Sequence, residues 1–196
     1  MKKISIIALI LAALMLFASC GKDTEKNEET TAPETEELKI ITVDFEKVRV
    51  VDYAFAYENG EKVALANGKK AIESSKPSVA TVDSEGNVVP HGVGVTLVAY
   101  ENDKSAEAVA ICVLPDGVKP DRASGGSAEL VMVGETYMHT APVGEVEYTS
   151  SDESVVDVSE APKLAFVKSG YACVTCSSVS RPFTYSFVVY DRTVEK

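Results

Sequence analysis

Ser74-Ser75-Lys76-Pro77-Ser78-Val79-Ala80-Thr81-Val82 returns later in the chain as Ser150-Ser151-Asp152-Glu153-Ser154-Val155-Val156-Asp157-Val158. Residue 74 becomes residue 150, an offset of 76 that continues without a gap, placing Gly94 over Gly170, Val98 over Val174, Ile111 over Phe187 and Val113 over Val189. Agreement over this length points to a duplicated structural unit.

Working outward from the repeat, the chain from Leu38 onward is written as short runs rich in Val, Ile, Thr, Tyr and Phe, broken by Gly, Pro, Asn, Asp and Ser. That is the punctuation of an all-β protein. In Phe183-Thr184-Tyr185-Ser186-Phe187-Val188-Val189-Tyr190, two-residue alternation puts Phe183, Tyr185, Phe187 and Val189 on one face. Val109 to Val113 is its counterpart in the first copy. Thr81 to Val89 reads as a hairpin, with Gly86 supplying the positive φ of its turn. Gly94 then opens a strand from Val95 to Tyr100.

Two copies of this size predict two β-sandwiches in tandem, over residues 39–115 and 127–192. Residues 116–126 lack alternation, carry Pro120 and end in Gly125-Gly126, which reads as a linker with hinge freedom in its second half. The paired serines followed by Pro77 or Glu153 bend the chain through local hydrogen bonds, after which the valine run enters a sheet.

Ser-Ser-x-x-Ser-Val-Ala-Thr-Val-Asp, the glycine turn, Gly92 to Ala99 and the closing strand together resemble the group 2 bacterial immunoglobulin-like domain, most closely over Ile72 to Val113. In the second copy Ser150 to Val158 and Gly170 to Thr175 keep the pattern, while Ala161-Pro162-Lys163-Leu164 stands where the glycine turn belongs. Val131 to Thr136 is similar to the opening strand and turn of that family. The resemblance implies tandem immunoglobulin-like sandwiches serving adhesion, carbohydrate contact or spacing, and fold analogy does not choose among those roles.

At the N-terminus, Lys2 and Lys3 precede an apolar run from Ile4 to Phe17 and then Ala18-Ser19-Cys20. This is the order of an export signal over residues 1–19, with a run too short to span a bilayer comfortably. Small residues before a cysteine resemble the lipobox of bacterial lipoproteins, which implies that Cys20 receives a diacylglyceryl group and becomes the new terminus. Two or more acyl chains anchor stably where one does not. Residues 20–38 then read as an acidic flexible tether with a span of about 25 Å. The expected address is the cell envelope, membrane-anchored through Cys20 and surface-exposed.

The 30 acidic residues outweigh 19 basic ones, for a net charge of −11. Such a surface disfavours nucleic acid as a partner and leaves the lipid, not a basic patch, as the membrane contact. The partner expected is a surface protein or a glycan.

Residues able to carry chemistry have no catalytic context. Cys112, Cys173 and Cys176 are odd in number, and Cys173 and Cys176, three apart in a strand, face opposite sides of the sheet. With His139 they make a poor zinc set, and they read as small buried residues. His91 sits in a loop, and Ser124-Gly125-Gly126-Ser127 lacks a nucleophile elbow. Gly92-Val93-Gly94 lacks the helix and lysine of a phosphate loop. Glu145 and Glu147 share the exposed face of a strand whose other face carries Val146 and Tyr148, not the paired carboxyls of a glycosidase cleft. Asp116, Asp121 and Asp152 are conceivable calcium ligands without a loop signature, so solvated surface is the favoured reading. No cofactor or metal is expected. Tyr171 and Tyr190 fall on the strand face opposite the expected core and are the candidate ligand-binding residues, an exposed aromatic platform suited to sugars.

The sequence therefore points to a non-catalytic cell-surface lipoprotein acting as an adhesion or protein-interaction module. The alternative is a carbohydrate-binding accessory lipoprotein of a polysaccharide-uptake or cell-wall system.

Overall fold

A computed structural model describes residues 42–102, 105–120, 126–140, 145–178 and 182–195. The export signal, Cys20 and the acidic tether lie outside the described residues, as do Asp121, Ser124 and Gly125.

The first copy forms β1 (Arg49–Tyr57), a 3-10 turn (Ala66–Gly68), β2 (Ala71–Ser74), β3 (Ala80–Val82), β4 (Val88–Pro90), β5 (Gly94–Asn102) and β6 (Ser105–Leu114). In the second copy follow β7 (Glu129–Met132), β8 (Thr136–Met138), β9 (Val146–Ser150), β10 (Val156–Asp157), β11 (Lys163–Phe166), β12 (Gly170–Ser178) and β13 (Phe183–Tyr190). The expected strand over Phe183–Tyr190 is observed to the residue, and Gly94 opens β5 as read. Gly86 turns the β3–β4 hairpin at φ 82°.

Each copy builds one four-stranded sheet in the same order. In the first, β1 lies parallel to β6, which pairs antiparallel with β5, which pairs with β2. In the second, β7, β13, β12 and β9 take those places. The 76-residue offset carries β5 onto β12 end to end. Smaller sheets complete the copies, β3–β4 in one and β10–β11–β8 in the other. The fold is all-β, and each half is a β-sandwich of a large and a small sheet.

Among the described residues, three apolar clusters hold these layers. Val79, Val88, Val98, Tyr100, Ile111 and Val113 fill the first sandwich, between its large and small sheets. Val156, Leu164, Phe166, Val174, Phe187 and Val189 fill the second. A third cluster draws on both copies: Val95, Leu97, Ala99, Ala108, Ala110, Cys112 and Leu114 from the first large sheet meet Val188 from the second, with Leu130, Tyr171 and Tyr190 packed around them. The large sheets face one another across this middle layer, so each is covered on both sides. This explains why Val95–Tyr100 and Ala108–Leu114 are buried residue after residue instead of alternating.

The expectation of two sandwiches on a hinged linker does not include this packing. The described residues belong to one compact unit, because apolar side chains on the far faces of β5, β6 and β13 remove more surface from water by meeting than by standing apart. Among them no helix is long and apolar enough to cross a membrane.

Candidate functional site

The repeated serine motif performs the same local work in both copies. In the first, Val79 and Ala80 donate their N–H groups to the Lys76 carbonyl at 3.0 and 3.2 Å. In the second, Val155 and Val156 donate to the Asp152 carbonyl at 3.1 and 3.0 Å. The second serine of each pair then bonds the neighbouring strand, Ser75 accepting from Leu97 N–H and Ser151 from Cys173 N–H. In both copies the motif thus forms the turn and ties it to the neighbouring strand.

Tyr171 and Tyr190 do not form an exposed platform. Both are half-buried and pack on the middle cluster, because the face assigned to solvent is the one that meets the other half. Tyr171 meets Phe55 edge-on with ring centroids 5.4 Å apart, and Phe55 meets Tyr53 at 5.6 Å. Tyr53 Oη in turn accepts the Ala128 N–H at 2.9 Å, so this aromatic row stitches one half to the other. Beside Tyr190, the Arg192 guanidinium lies 5.9 Å from the ring centroid and donates to the Phe45 and Val48 carbonyls at 3.0 and 2.9 Å.

Both histidines have structural partners. His91 Nε2 lies 2.8 Å from Thr81 Oγ1. His139 is buried, with Nδ1 2.7 Å from Tyr148 Oη and Nε2 2.9 Å from Tyr185 Oη. Burial first, then a hydrogen bond with Cys176, pushes the Tyr148 phenol up to about 12. Glu145 and Glu147 are exposed while Val146 and Tyr148 are half-buried, as the alternation implied.

Cys112, Cys173 and Cys176 are free and buried. Cys173 Sγ sits 3.1 Å from Tyr171 Oη and 3.3 Å from Ser186 Oγ, and burial pushes the Cys112 thiol up to about 12. A thiol held like that of Cys112 makes a poor nucleophile. Asp116 is exposed, and Asp152 spends one carboxylate oxygen on Ser154, accepting from its N–H at 2.9 Å and its hydroxyl at 2.7 Å. Among the described residues no group of three or more His, Cys, Asp or Glu is placed to hold a metal ion.

One site was missed by sequence reading: the segment after β13. Asp191 Oδ2 lies 2.8 Å from Lys76 Nζ, with both side chains largely covered. Ser169 Oγ is 3.4 Å from the same ammonium. Glu195 N–H donates to the Ser75 carbonyl at 2.8 Å, and its carboxylate accepts from Ser78 N–H at 2.9 Å and from the Ser78 hydroxyl. Thus Asp191–Glu195 runs back from the second half across the serine turn of the first. Glu195 stands 117 residues from Ser78, a separation that no local pattern announces.

No protein-family model matches the chain, and no curated protein matches it. Among solved structures it is similar to domains 4 and 5 of the S-layer protein SbsC, at 18% identity and a TM-score of 0.26, covering 74% of this chain and 94% of that one. It is similar also to the much longer S-layer protein rSbsC(31-844), at 18% identity and a TM-score of 0.25, covering 63% of this chain. This chain spans about a fifth of that protein, 20% of its length. Extracellular domains 3–5 of Drosophila OTK match at 15% identity and a TM-score of 0.23, over 72% of this chain and 60% of that one.

Proposed function

We propose that this protein is a non-catalytic, exported surface module, anchored by lipid at Cys20, that acts in adhesion or protein interaction. The observation that carries this reading is the middle cluster, which joins the two sandwiches into one stack of β-layers. The side chains most able to do chemistry are turned to structure: His139 is held by two tyrosines, Asp152 caps a turn and Cys112 is sealed in the middle layer. What remains for a partner is the outer surface of an acidic block.

Metabolic labelling with an alkyne fatty acid tests the anchor. Label is expected on the parent and absent from Cys20→Ser; full incorporation in that variant refutes the lipoprotein reading. Binding of the folded block to an array of surface proteins and glycans tests the interaction role, and the absence of any hit leaves only a spacer. The carbohydrate alternative needs stacking rings in solvent, and Tyr171 and Tyr190 are engaged in the junction, so no observation favours it.

A further inference from the structure

The two copies of the serine turn satisfy the same need in different ways. At the second turn, Asp152 accepts from the N–H and hydroxyl of Ser154 two residues on. The first copy has Lys76 at that position, so Ser78 has no local carboxylate, and Glu195 from the far end of the chain takes the place of the missing cap. The lysine that stands in place of the local acid pairs with Asp191. Two acids four residues apart therefore read two features of one turn, its ammonium and its serine, while the Ser75 carbonyl receives the backbone N–H of Glu195.

We infer that Ser75-Lys76-Pro77-Ser78 is a recognition site for an extended acidic segment of the pattern acid-x-x-x-acid, and that Asp191–Glu195, filling it, is a releasable latch on the two halves. The latch lies where the halves meet: Arg192, between the two acids, reaches the Phe45 and Val48 carbonyls, and Phe45 and Val48 belong to the middle cluster. The bonds from Ser78, its hydroxyl the largest cause, and proximity to Lys76 hold the Glu195 carboxyl below its ordinary range.

Amide hydrogen exchange on the full chain tests the recognition. In Glu195→Ala the Ser78 amide exchanges roughly tenfold faster, as suits loss of a hydrogen bond to a charged acceptor, while Ser154 is unchanged. Adding Lys76→Asn, which supplies a local cap like that of Asp152, returns Ser78 to its parental protection. Unchanged exchange in Glu195→Ala, or no rescue by Lys76→Asn, overturns the site. Thiol labelling followed by peptide mapping tests the latch, because Cys112 is reached when the halves part, whereas Cys176 lies on the opposite face of the second large sheet. Asp191→Asn with Glu195→Gln is expected to speed labelling of Cys112 roughly tenfold relative to Cys176, the shift for about 1.4 kcal/mol of lost closure. Equal rates in parent and variant overturn the latch.

Discussion

The hydroxyl of Ser75 accepts the Leu97 N–H at 3.0 Å while the Ser75 N–H is donated to the Leu97 carbonyl at 2.8 Å. Ser75 thus extends the pairing of β2 with β5 by one residue, half through its side chain. Ser151 repeats the arrangement with Cys173, at 2.8 Å in both directions. The first site is fully buried and also borders Thr96 Oγ1, 3.2 Å from the Ser75 hydroxyl, whereas Ser151 is exposed.

Ser75→Ala is therefore expected to cost about 1–3 kcal/mol, the penalty for leaving a buried N–H without its acceptor. Ser151→Ala is expected to cost less, since Ser151 lies at the surface and its removal lets water take the place of the lost hydroxyl on the Cys173 N–H. Urea denaturation of the two variants checks the order.

The repeat made much of this architecture legible. A 76-residue offset located β12 from β5 and the second serine turn from the first, and alternation in Phe183–Tyr190 identified the Phe187 and Val189 face as core. What alternation could not convey is that the opposite face is also covered. The signal for that was present in Ala106 to Leu114, an almost unbroken apolar run suited to a strand buried on both sides. Tyr190 belongs to solvent only in a sandwich standing alone, and Val188 beside it is wholly buried. The latch was beyond reach for a different reason: Asp191 and Glu195 look like ordinary surface acids until the fold returns them to Lys76 and Ser78.

Asp191 gives the fold an acid-sensitive contact. Desolvation raises its carboxyl, but hydrogen bonding and charge from Lys76 outweigh this together with the Thr193 N–H, and the net direction is down. A carboxyl lowered in the folded state contributes stability above its unfolded value and loses that contribution as pH falls through the folded value. Asp191→Asn is expected to cost about 1–2 kcal/mol at pH 7, between the worth of exposed and of buried pairs. Denaturation repeated in steps toward pH 2 should show the difference between parent and variant shrinking.

At the alkaline end Tyr148 carries the corresponding sensitivity. Its neutral phenol is favoured in the fold, at about 12, whereas an unfolded tyrosine ionises near 10. Between those values the unfolded chain releases the proton first, so stability present below pH 10 declines as pH rises toward 12. Tyr148→Phe should flatten that decline relative to the parent. The His139 ring loses one hydroxyl partner in this variant, so a uniform offset at neutral pH is expected beneath the changed slope.

Close packing at the start of β12 offers a test of coupling between the serine turn and the strand. A Cβ on Gly170 would stand 2.7 Å from Val155 Cγ2, and Val155 is buried. Gly170→Ala is expected to cost about 1–3 kcal/mol through overpacking. Val155→Ala removes the obstructing methyl at a similar cost in lost burial. The double variant should cost less than the two singles together, by about 1 kcal/mol or more, as contacting residues do. Gly94 faces Val79 in the first copy at 3.2 Å, and there φ is +149°, so Val79→Ala should rescue Gly94→Ala less completely: backbone strain stays after the methyl has gone.

The middle cluster is expected to make the two halves one folding unit. Leu97, Ala99, Ala110 and Cys112 are buried in a cluster that also takes in Val188 and, packed against it, Leu130, Tyr171 and Tyr190 of the second half. Separating the halves exposes these side chains together, as a contiguous apolar face of the kind soluble monomers avoid. Thermal or urea unfolding of the whole block should accordingly show one transition, with probes in both sandwiches coinciding. Val188→Ala, placed in the second half, is expected to remove about 1–3 kcal/mol and to lower the midpoint seen by probes in the first half equally. Two separated transitions, or a first-half midpoint that ignores Val188→Ala, would show instead that the sandwiches melt independently and that the middle layer contributes little to holding them.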